Sequence, residues 1–343
     1  MTRDAGRGPA PSKMPATACA RANVALVKYW GKRPGPLNLP AVGSLSLTLA
    51  GLEATAAVSP RATGAPAFRS GGQAVEGTAG QRMEAFLDRL RDFVPDAPRL
   101  AVEVGVGFPI GAGLASSAAI FCATAAAGLS ALGLSRDRRE LSRLAREGSG
   151  SAARSVFGGL VEWHRGLRPD GEDSFAEPLA GGADWPLAMA VAVVEHGPKA
   201  IPSRDAMEHV ARTSTFFEAW IAGQEVDLAA ARQAVAARDL PALGAIAEAN
   251  CLRMHATCFA ARPAVMYWRP GSLAVIDEIH RLRAEGMAAW FTMDAGPQVK
   301  ALCHQDDLEA IATRLAAVPG VQTVLRAHSG AGVEMIEGAE PWS

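Results

Sequence analysis

A cluster of basic and aromatic residues stands at the end of a predicted buried strand. The segment VALVKYWGKR (24–33) runs from four mostly apolar residues directly into Lys28, Tyr29, Trp30, Gly31, Lys32 and Arg33. Buried or half-buried cations are costly unless a partner compensates their charge. Positive charge at the mouth of a core strand therefore points to a local binding site for an anion.

A loop of small residues follows another predicted strand, at PIGAGLASSAA (109–119). A strand, a glycine loop and a helix N-terminus present backbone N–H groups at the positive end of a helix dipole, which suits a phosphate chain. Ser116 and Ser117 add hydroxyls that can reach a phosphate or a metal. The loop has neither the Gly-Lys-Ser/Thr of a Walker A sequence nor the spacing of a Rossmann fingerprint. Taken alone, it is equally compatible with a helix that begins with small residues for close packing.

A second glycine-serine cluster occurs at EGSGSAARS (147–155), where Ser149, Ser151 and Arg154 lie beside a flexible turn. The planar guanidinium of an arginine can hold a carboxylate or a phosphate through two parallel hydrogen bonds. The alternative for this stretch by itself is a solvated surface loop. Two such loops and the basic strand end together favour anion binding.

The overall composition excludes several classes of protein. The net charge of −1 and the pI of about 6.7 argue against a bulk electrostatic grip on nucleic acid. The five cysteines are scattered and odd in number, which is typical of reduced thiols rather than a disulfide framework. No apolar run approaches the ~20 residues that span a bilayer, and the N-terminus lacks a secretory h-region. We expect a cytoplasmic protein without a membrane partner.

The chain of 343 residues suggests about two domains. Strands and helices mix without a regular βαβ alternation, so an α+β fold is favoured over a doubly wound one. Residues 1–17 are expected to form a disordered tail, and the polar Gly/Pro-rich stretch 165–185 is the best boundary. The predicted domains are 18–185 and 186–343. Predicted elements include strands at 44–50 and 52–60 and helices at 203–222 and 226–238.

These motifs occur in the order typical of diphosphomevalonate decarboxylases, and the chain resembles that family from residue 18 to about 330. The resemblance is carried by NVALVKYWGKR, LNLP, SLSLTL, PIGAGLASSAA, GSGSAARSVFGGLVEW, PSRDAM, HATCFAARPAVMYW and FTMDAGP. It implies the two-domain α+β fold of the superfamily that includes galactokinase, homoserine kinase and mevalonate kinase, with the active site in the cleft between the domains. It also implies ATP and Mg²⁺, a homodimer, and the mevalonate route of isoprenoid biosynthesis.

The implied reaction phosphorylates the tertiary 3-hydroxyl of 5-diphosphomevalonate, after which loss of that phosphate and CO₂ gives isopentenyl diphosphate. The resemblance implies catalytic roles for Asp294, Lys28 and Arg154. In this assignment Arg154 holds the substrate carboxylate, and Asp294 serves as base or orienting group for the 3-hydroxyl. The implied substrate-binding residues are Tyr29, Lys32, Arg82, Ser149, Ser151 and Ser203. The implied ATP-binding residues are Gly111, Gly113, Leu114, Ala115, Ser116 and Ser117, with Ser116 also placed at the metal.

Two places depart from the family pattern, at Val42-Gly43 before SLSLTL and at Arg204 in PSRDAM. The alternatives for function are a 5-phosphomevalonate decarboxylase, a mevalonate 3-kinase-like enzyme that stops at phosphorylation, and a non-catalytic small-molecule sensor. The presence of Lys28, Arg154 and Asp294 favours the full reaction.

A zinc site is a separate possibility for one helix. Cys251, His255 and Cys258 fall at i, i+4 and i+7 on one helix face. These are three ligands where structural zinc needs four, so two packed thiols and a histidine with satisfied hydrogen bonds are favoured.

Overall fold

The computed structural model describes residues 15–94, 96–108, 116–182, 184–197 and 201–337. Its strands are β1 (Ala16–Val27), β2 (Ser44–Pro60), β3 (Phe68–Ser70), β4 (Gln73–Ala74), β5 (Leu100–Val106), β6 (Leu160–Trp163), β7 (Ala176–Pro178), β8 (Leu187–Val193), β9 (Trp290–Met293), β10 (Val299–His304), β11 (Thr323–Ser329) and β12 (Glu334–Ile336). Its α-helices are α1 (Gly77–Arg91), α2 (Ser116–Ala131), α3 (Arg138–Gly148), α4 (Ala152–Ser155), α5 (Ser203–Thr213), α6 (Phe217–Ala237), α7 (Leu240–Phe259), α8 (Pro270–Ala284) and α9 (Leu308–Ala316).

The strands form one sheet with the order β4-β3-β5-β2-β11-β8-β10-β9, and β1, β6, β7 and β12 pair beside this path. Every described pairing is antiparallel except that of β3 with β5. This mixed arrangement confirms the predicted α+β class. Short antiparallel connections also explain why regular βαβ alternation is missing from the sequence.

The long strand β2 joins the two parts of the sheet. It pairs with β1, β5 and β6 and, near its middle, with β11 through Ala50 and Leu49. The predicted break between strands 44–50 and 52–60 is wrong, because the chain passes through Gly51 at a φ of +93° without leaving the sheet. A glycine adopts that conformation at no steric cost.

Separate apolar clusters support the helices on the sheet. One contains Phe86, Leu90, Phe121 and Leu144 from α1, α2 and α3. Another contains residues of α8 and α9 against β8, β9 and β10, among them Ile279, Ile311, Phe291 and Val299. A third, with Trp30, Trp220, Met254 and Tyr267, packs under the loop that follows β1. This third cluster packs Trp30, in the basic segment after β1, against α6 and α7.

Three predicted boundaries need correction. Residues 16 and 17 of the expected tail belong to β1, while 1–14 lie outside the described residues. Part of the predicted linker 165–185 forms β7, which pairs with β6. The helix predicted at 203–222 is interrupted after Thr213, where the Ser214 hydroxyl donates to the carbonyl of Thr257 at 2.7 Å. The domain division at 185/186 stays a prediction. Within the described ranges, no helix is long and apolar enough to cross a bilayer.

Candidate active site

A cleft of about 320 Å³ opens where the end of β1, the start of α2, the α3–α4 link, the start of α5 and the β9–β10 turn meet. It brings together every described residue for which the sequence predicted a role in catalysis, substrate binding or ATP binding. These are Lys28, Tyr29, Lys32, Arg82, Ser116, Ser117, Ser149, Ser151, Arg154, Ser203 and Asp294. Gly111, Gly113, Leu114 and Ala115 lie outside the described residues.

The carboxylate of Asp294 lies between two lysines. Lys28 Nζ donates to Oδ1 at 2.8 Å and Lys300 Nζ donates to Oδ2 at 3.0 Å. The side chains of Lys28 and Lys300 are 1% and 0% exposed, whereas that of Asp294 is 25% exposed. Burial favours the neutral acid, but the charges and hydrogen bonds of both lysines outweigh it and hold the pKa of Asp294 well below its usual range. Asp294 is therefore ionised at neutral pH.

A polar network on α6 and α7 fixes the backbone of Lys28. The Lys28 N–H donates to Asn250 Oδ1 at 2.7 Å, and Gln224 Nε2 donates to the Lys28 carbonyl at 2.7 Å. Asn250 Nδ2 in turn donates to Gln224 Oε1 at 3.0 Å. Because both amides are buried and mutually paired, the position of the lysine is set by two helices rather than by a loop.

Arg154 is a buried cation whose hydrogen-bond partners are neutral. Its guanidinium donates to Asn23 Oδ1 at 3.0 and 3.1 Å, to Ser46 Oγ at 2.9 Å and to Ser44 Oγ at 2.7 Å. Burial lowers the pKa of Arg154 to about 10, against the opposing charge of Asp294. It lines the cleft at 2% exposure. A charge held in this way, with its orientation fixed, is prepared for an anion that enters the cleft.

Hydroxyl groups from three segments converge on one side of the cleft. Ser149 Oγ lies 3.4 Å from Ser151 Oγ and 3.4 Å from Ser117 Oγ, so the serines at the start of α2 and those of the α3–α4 link share one surface. The Tyr29 hydroxyl is buried and has no hydrogen-bond partner among the described residues. Its ring comes so close to Gly150 that a Cβ there would lie 2.6 Å from the Tyr29 oxygen. Glycine is therefore needed at 150 to admit the tyrosine.

Three cations form the outer part of the same surface: Lys32, Arg82 and Arg204. Burial, reinforced by the charges of Arg204 and Arg82, lowers the pKa of Lys32 to about 8. Burial and Arg204 also lower the pKa of Arg82. The cations disfavour one another's charge, and a phosphate chain would relieve that repulsion.

Two family models cover most of the chain. Residues 20–176 match the diphosphomevalonate decarboxylase-like N-terminal domain, and residues 189–337 match the mevalonate 5-diphosphate decarboxylase C-terminal domain. The chain belongs to the diphosphomevalonate decarboxylase family. The resemblance carried by the sequence motifs is thereby confirmed.

Relatives and solved structures in this family match nearly the whole chain. The diphosphomevalonate decarboxylase mvd1 of Aspergillus fumigatus is 35% identical over 328 residues, covering 90% of this chain and 81% of the relative. That of Candida albicans is 33% identical, covering 94% of each chain. The Enterococcus faecalis mevalonate diphosphate decarboxylase structure has a TM-score of 0.87 and 38% identity, covering 94% of this chain and 99% of that one. The Staphylococcus aureus enzyme has a TM-score of 0.88 and 35% identity, covering 94% and 98%.

Sequence motifs missed three residues of this decarboxylase-family site. In the sequence Arg204 stands out only as a departure from the family pattern, yet it lines the cleft. Lys300 belongs to none of the motifs, although a lysine inside the apolar run of VKALCH (299–304) is an unusual residue for a buried strand. Asn38 accepts hydrogen bonds from Lys32 and Arg204. Its sequence signal is the family motif LNLP, whose residue types alone do not suggest a role for the asparagine.

The helix face with Cys251, His255 and Cys258 lies in the interior beside the site. His255 packs edge-on against Trp268, with ring centroids 5.6 Å apart, and burial lowers its pKa to about 3. Cys251 Sγ accepts from the Met293 N–H at 3.1 Å and so ties α7 to β9. Among the described residues, no group of three His, Cys, Asp or Glu side chains is arranged to hold a metal ion.

Proposed function

We propose that the protein is an ATP-dependent diphosphomevalonate decarboxylase. It converts 5-diphosphomevalonate and ATP to isopentenyl diphosphate, CO₂, ADP and phosphate, in the mevalonate route of isoprenoid biosynthesis. The observation that carries the proposal is the Asp294 carboxylate held between Lys28 and Lys300 in a cleft that also contains Arg154 and a group of outer cations. In a substrate with a hydroxyl, a carboxylate and a diphosphate, Asp294 would bind the hydroxyl, Arg154 the carboxylate and the outer cations the diphosphate.

The site is suited to ATP and Mg²⁺. The N-terminus of α2 reaches the cleft with Ser116 and Ser117, and such an end attracts phosphate. Magnesium is usually bound through few protein ligands together with substrate phosphates and water. Both oxygens of Asp294 accept from lysines, so the Ser116 hydroxyl at the start of α2 and the phosphates of ATP would hold the metal. A related structure is described as MDDEF in complex with MVAPP, AMPPCP and magnesium, at 39% identity and a TM-score of 0.88. We assign Ser116 to the metal and Ser117 to the nucleotide phosphates; ATP supplies the phosphoryl group.

Asp294 orients the 3-hydroxyl in this mechanism. The carboxylate is ionised because the two lysines lower its pKa, and it therefore accepts a hydrogen bond from the hydroxyl. A carboxylate with so low a pKa is a weak base, since general-base catalysis is most effective when the pKa lies near the working pH. The orienting role is accordingly favoured over proton abstraction, and the hydroxyl proton passes to an oxygen of the transferred phosphoryl group. Lys28 holds the carboxylate in place and adds positive charge near the attacking oxygen.

Arg154 governs the second half of the reaction. Its guanidinium binds the substrate carboxylate and fixes the C–C bond that breaks. The electron pair of that bond becomes the new C=C bond as the 3-phosphate leaves, and CO₂ departs. Because Asn23, Ser44 and Ser46 already set the plane of the guanidinium, the carboxylate is aligned by a preorganised group.

The outer surface binds the diphosphate. Tyr29, Ser149 and Ser151 donate hydroxyl hydrogen bonds, and Lys32 and Arg204 supply charge. Arg82, which donates to the Gly148 carbonyl at 3.2 Å, borders the same region and reaches either the diphosphate or the nucleotide. Ser203 lines the cleft at the start of α5 and stays a predicted substrate residue.

The assignment is tested by incubating the protein with ATP and Mg²⁺ and, separately, mevalonate, 5-phosphomevalonate and 5-diphosphomevalonate. ADP and CO₂ are measured independently, and Asp294→Asn serves as the inactive control. We expect equal release of ADP and CO₂ with the highest kcat/KM for the diphosphate. A higher kcat/KM for the monophosphate makes the protein a 5-phosphomevalonate decarboxylase. ADP without CO₂ makes it a 3-kinase, and binding without either product makes it a sensor.

The proposed enzyme is also a cytoplasmic homodimer. All five cysteines are free thiols, which supports a reducing compartment. Light scattering coupled to gel filtration measures the assembly, and a mass equal to one chain of 35.6 kDa contradicts the dimer.

A further inference from the structure

Asn38 lies behind the outer cations of the cleft, in the loop between β1 and β2. Its side-chain carbonyl accepts from Lys32 Nζ at 2.8 Å and from Arg204 Nη2 at 3.1 Å. The residue is 6% exposed, so these two hydrogen bonds are sheltered from water. One neutral oxygen thus joins a lysine after β1 to an arginine at the start of α5.

The other half of the same amide is tied to a third segment. Asn38 Nδ2 donates to the carbonyl of Arg146 at 3.2 Å and to that of Glu147 at 2.6 Å. These carbonyls belong to the last turn of α3, directly before the link that carries Ser149 and Ser151. The three segments that form the anion-binding surface therefore meet at one side chain.

The backbone at this position restricts which residues can do this. Asn38 has a φ of +51°, in the left-handed region, which asparagine tolerates far better than branched or bulky residues. An amide also combines an acceptor with two donors, whereas a carboxylate has only acceptors and an aliphatic side chain has neither. The position thus requires both the conformation and the chemistry of asparagine.

The cations need such a holder because they repel one another. Lys32 faces Arg204 and Arg82 as well as the single acid Glu208, and burial together with the two arginines lowers its pKa to about 8. Without a shared acceptor, Lys32 and Arg204 would lose the hydrogen bonds that stabilise their charge and set their common direction. An ordered pair of cations binds a phosphate with a smaller loss of side-chain entropy.

We propose that Asn38 is a positioning residue that keeps Lys32 and Arg204 together and directed at the diphosphate end of the substrate. The inference rests on the proposed function for the identity of that substrate. Asn38 does not border the Asp294 carboxylate, so its contribution falls on substrate affinity and on the protonation of Lys32 rather than on the chemical step. A purely structural role, closing the end of α3, is the competing explanation.

Two variants separate these explanations because they act on Lys32 in opposite directions. Asn38→Asp keeps an acceptor and adds negative charge, which favours the protonated lysine and raises its pKa. Asn38→Gly accepts the positive φ but removes the acceptor, which lowers the pKa of the lysine. If Asn38 only supported folding, both substitutions would shift the pKa of Lys32 in the same direction.

The first measurement is the dissociation constant of inorganic pyrophosphate by calorimetry, which does not depend on turnover. We expect both variants to bind about tenfold more weakly or worse, the usual scale for a lost or mismatched hydrogen bond to a charged group. In Asn38→Asp the new carboxylate competes with the phosphate, whereas in Asn38→Gly the two cations lose the acceptor that orients them. The second measurement is kcat/KM for 5-diphosphomevalonate against pH. We expect its alkaline limb to move to higher pH in Asn38→Asp and to lower pH in Asn38→Gly, with KM changing more than kcat.

Melting temperatures and circular dichroism establish whether each variant is folded. If Asn38→Asp does not fold, Asn38→Gly alone tests the inference. Unchanged pyrophosphate binding, or alkaline limbs that move in the same direction, overturns the inference in favour of the structural role. A wild-type protein that binds pyrophosphate but does not turn over 5-diphosphomevalonate contradicts the proposed function. The pyrophosphate affinities of the variants then still decide the role of Asn38.

Discussion

Lys28, Lys300 and Arg154 are buried cations grouped around the single carboxylate of Asp294. Buried ionised groups are costly to desolvate, and a protein retains them where their charge has a use. Here each oxygen of Asp294 has a lysine of its own, so the carboxylate can neither rotate nor take up a proton easily. Arg154 keeps an uncompensated charge for the substrate.

Replacing Lys300 by methionine should lower kcat with little effect on the KM for ATP. Methionine fills a similar volume without charge, and Asp294 Oδ2 then loses its partner. We expect a fall of roughly tenfold or more, the scale of one hydrogen bond to a charged group. With one of two stabilising cations removed, the pKa of Asp294 rises, so less of it is ionised at acid pH and the acid limb of kcat moves to higher pH. An unchanged acid limb would show that Lys300 only fills space.

Replacing Arg154 by alanine should reduce turnover far more than ATP binding. The substrate carboxylate loses a bidentate partner, at a cost of about 2–3 kcal/mol, which corresponds to roughly 30- to 150-fold in rate. Arg154→Lys keeps the charge but not the fork and should recover only part of the activity. Single-turnover rates and nucleotide titration give the two quantities. Lost nucleotide affinity with normal turnover at saturation would place Arg154 at ATP instead.

At the scale of elements, the link between α3 and α4 is shaped by the tyrosine that it faces. Tyr29 is wedged between Gly150 and the buried ring of Trp163, with which it makes an edge contact at 4.8 Å between ring centroids. The link cannot approach Tyr29 this closely with any side chain at position 150. Ser149 and Ser151 on either side are thereby brought to the same surface as the tyrosine hydroxyl.

Gly150→Ala should therefore raise the KM for 5-diphosphomevalonate. A new Cβ would lie 2.6 Å from the Tyr29 oxygen and 2.8 Å from its ring, and Trp163 blocks retreat of that ring, so the serine link must move outward. We expect an increase on the order of tenfold, equal to about one displaced charged hydrogen bond. Gly223→Ala in α6 is the control, because nothing lies within 4 Å of a Cβ there and alanine stabilises a helix interior. Equal KM values for the two variants would refute the steric argument.

The elements also show what the sequence could and could not predict. Lys28, Arg154 and Asp294 lie in contiguous motifs whose residue types suggest their chemistry, and the structure collects them in one cleft. Lys300 becomes a partner of Asp294 only because the β9–β10 register pairs Met293 with Val299 and Thr292 with Lys300. Lys300 then lies close enough to the end of β9 for its Nζ to reach Asp294. Local periodicity carries no information about such a register. The hydrogen bonds of Asn38 reach α3 and α5, which are far from residue 38 in the sequence. A local sequence pattern therefore cannot predict them.

At the scale of the whole molecule, a chain with a net charge of −1 concentrates cations in one cleft. Many other charges of the described residues form ion pairs near the surface, such as that of Arg168 with Asp170. Surface pairs contribute little to stability. The cleft cations, in contrast, remain in mutual repulsion until an anion arrives, so ligand binding and stability are coupled.

Inorganic pyrophosphate should therefore raise the melting temperature of the protein. A ligand at a hundred times its Kd stabilises the folded state by ~2.7 kcal/mol, which amounts to several degrees. Arg204→Gln should lose most of that increase, whereas Arg168→Gln, at a side chain 61% exposed, should retain it. Thermal melts with and without pyrophosphate provide the comparison. An equal increase in both variants would mean that the anion binds elsewhere.

A ribosome synthesises β1 long before β12, yet the two strands are neighbours in the finished sheet. Arg21 and Glu334, which join them at 3.1 Å, are 313 residues apart. During translation, β1 thus has an unpaired edge that could recruit other chains. The pairing of β1 with β12 can form only after β12 has been synthesised. Premature termination before residue 334 would leave this edge open, so truncated products should be prone to aggregation even though every predicted catalytic residue has been made.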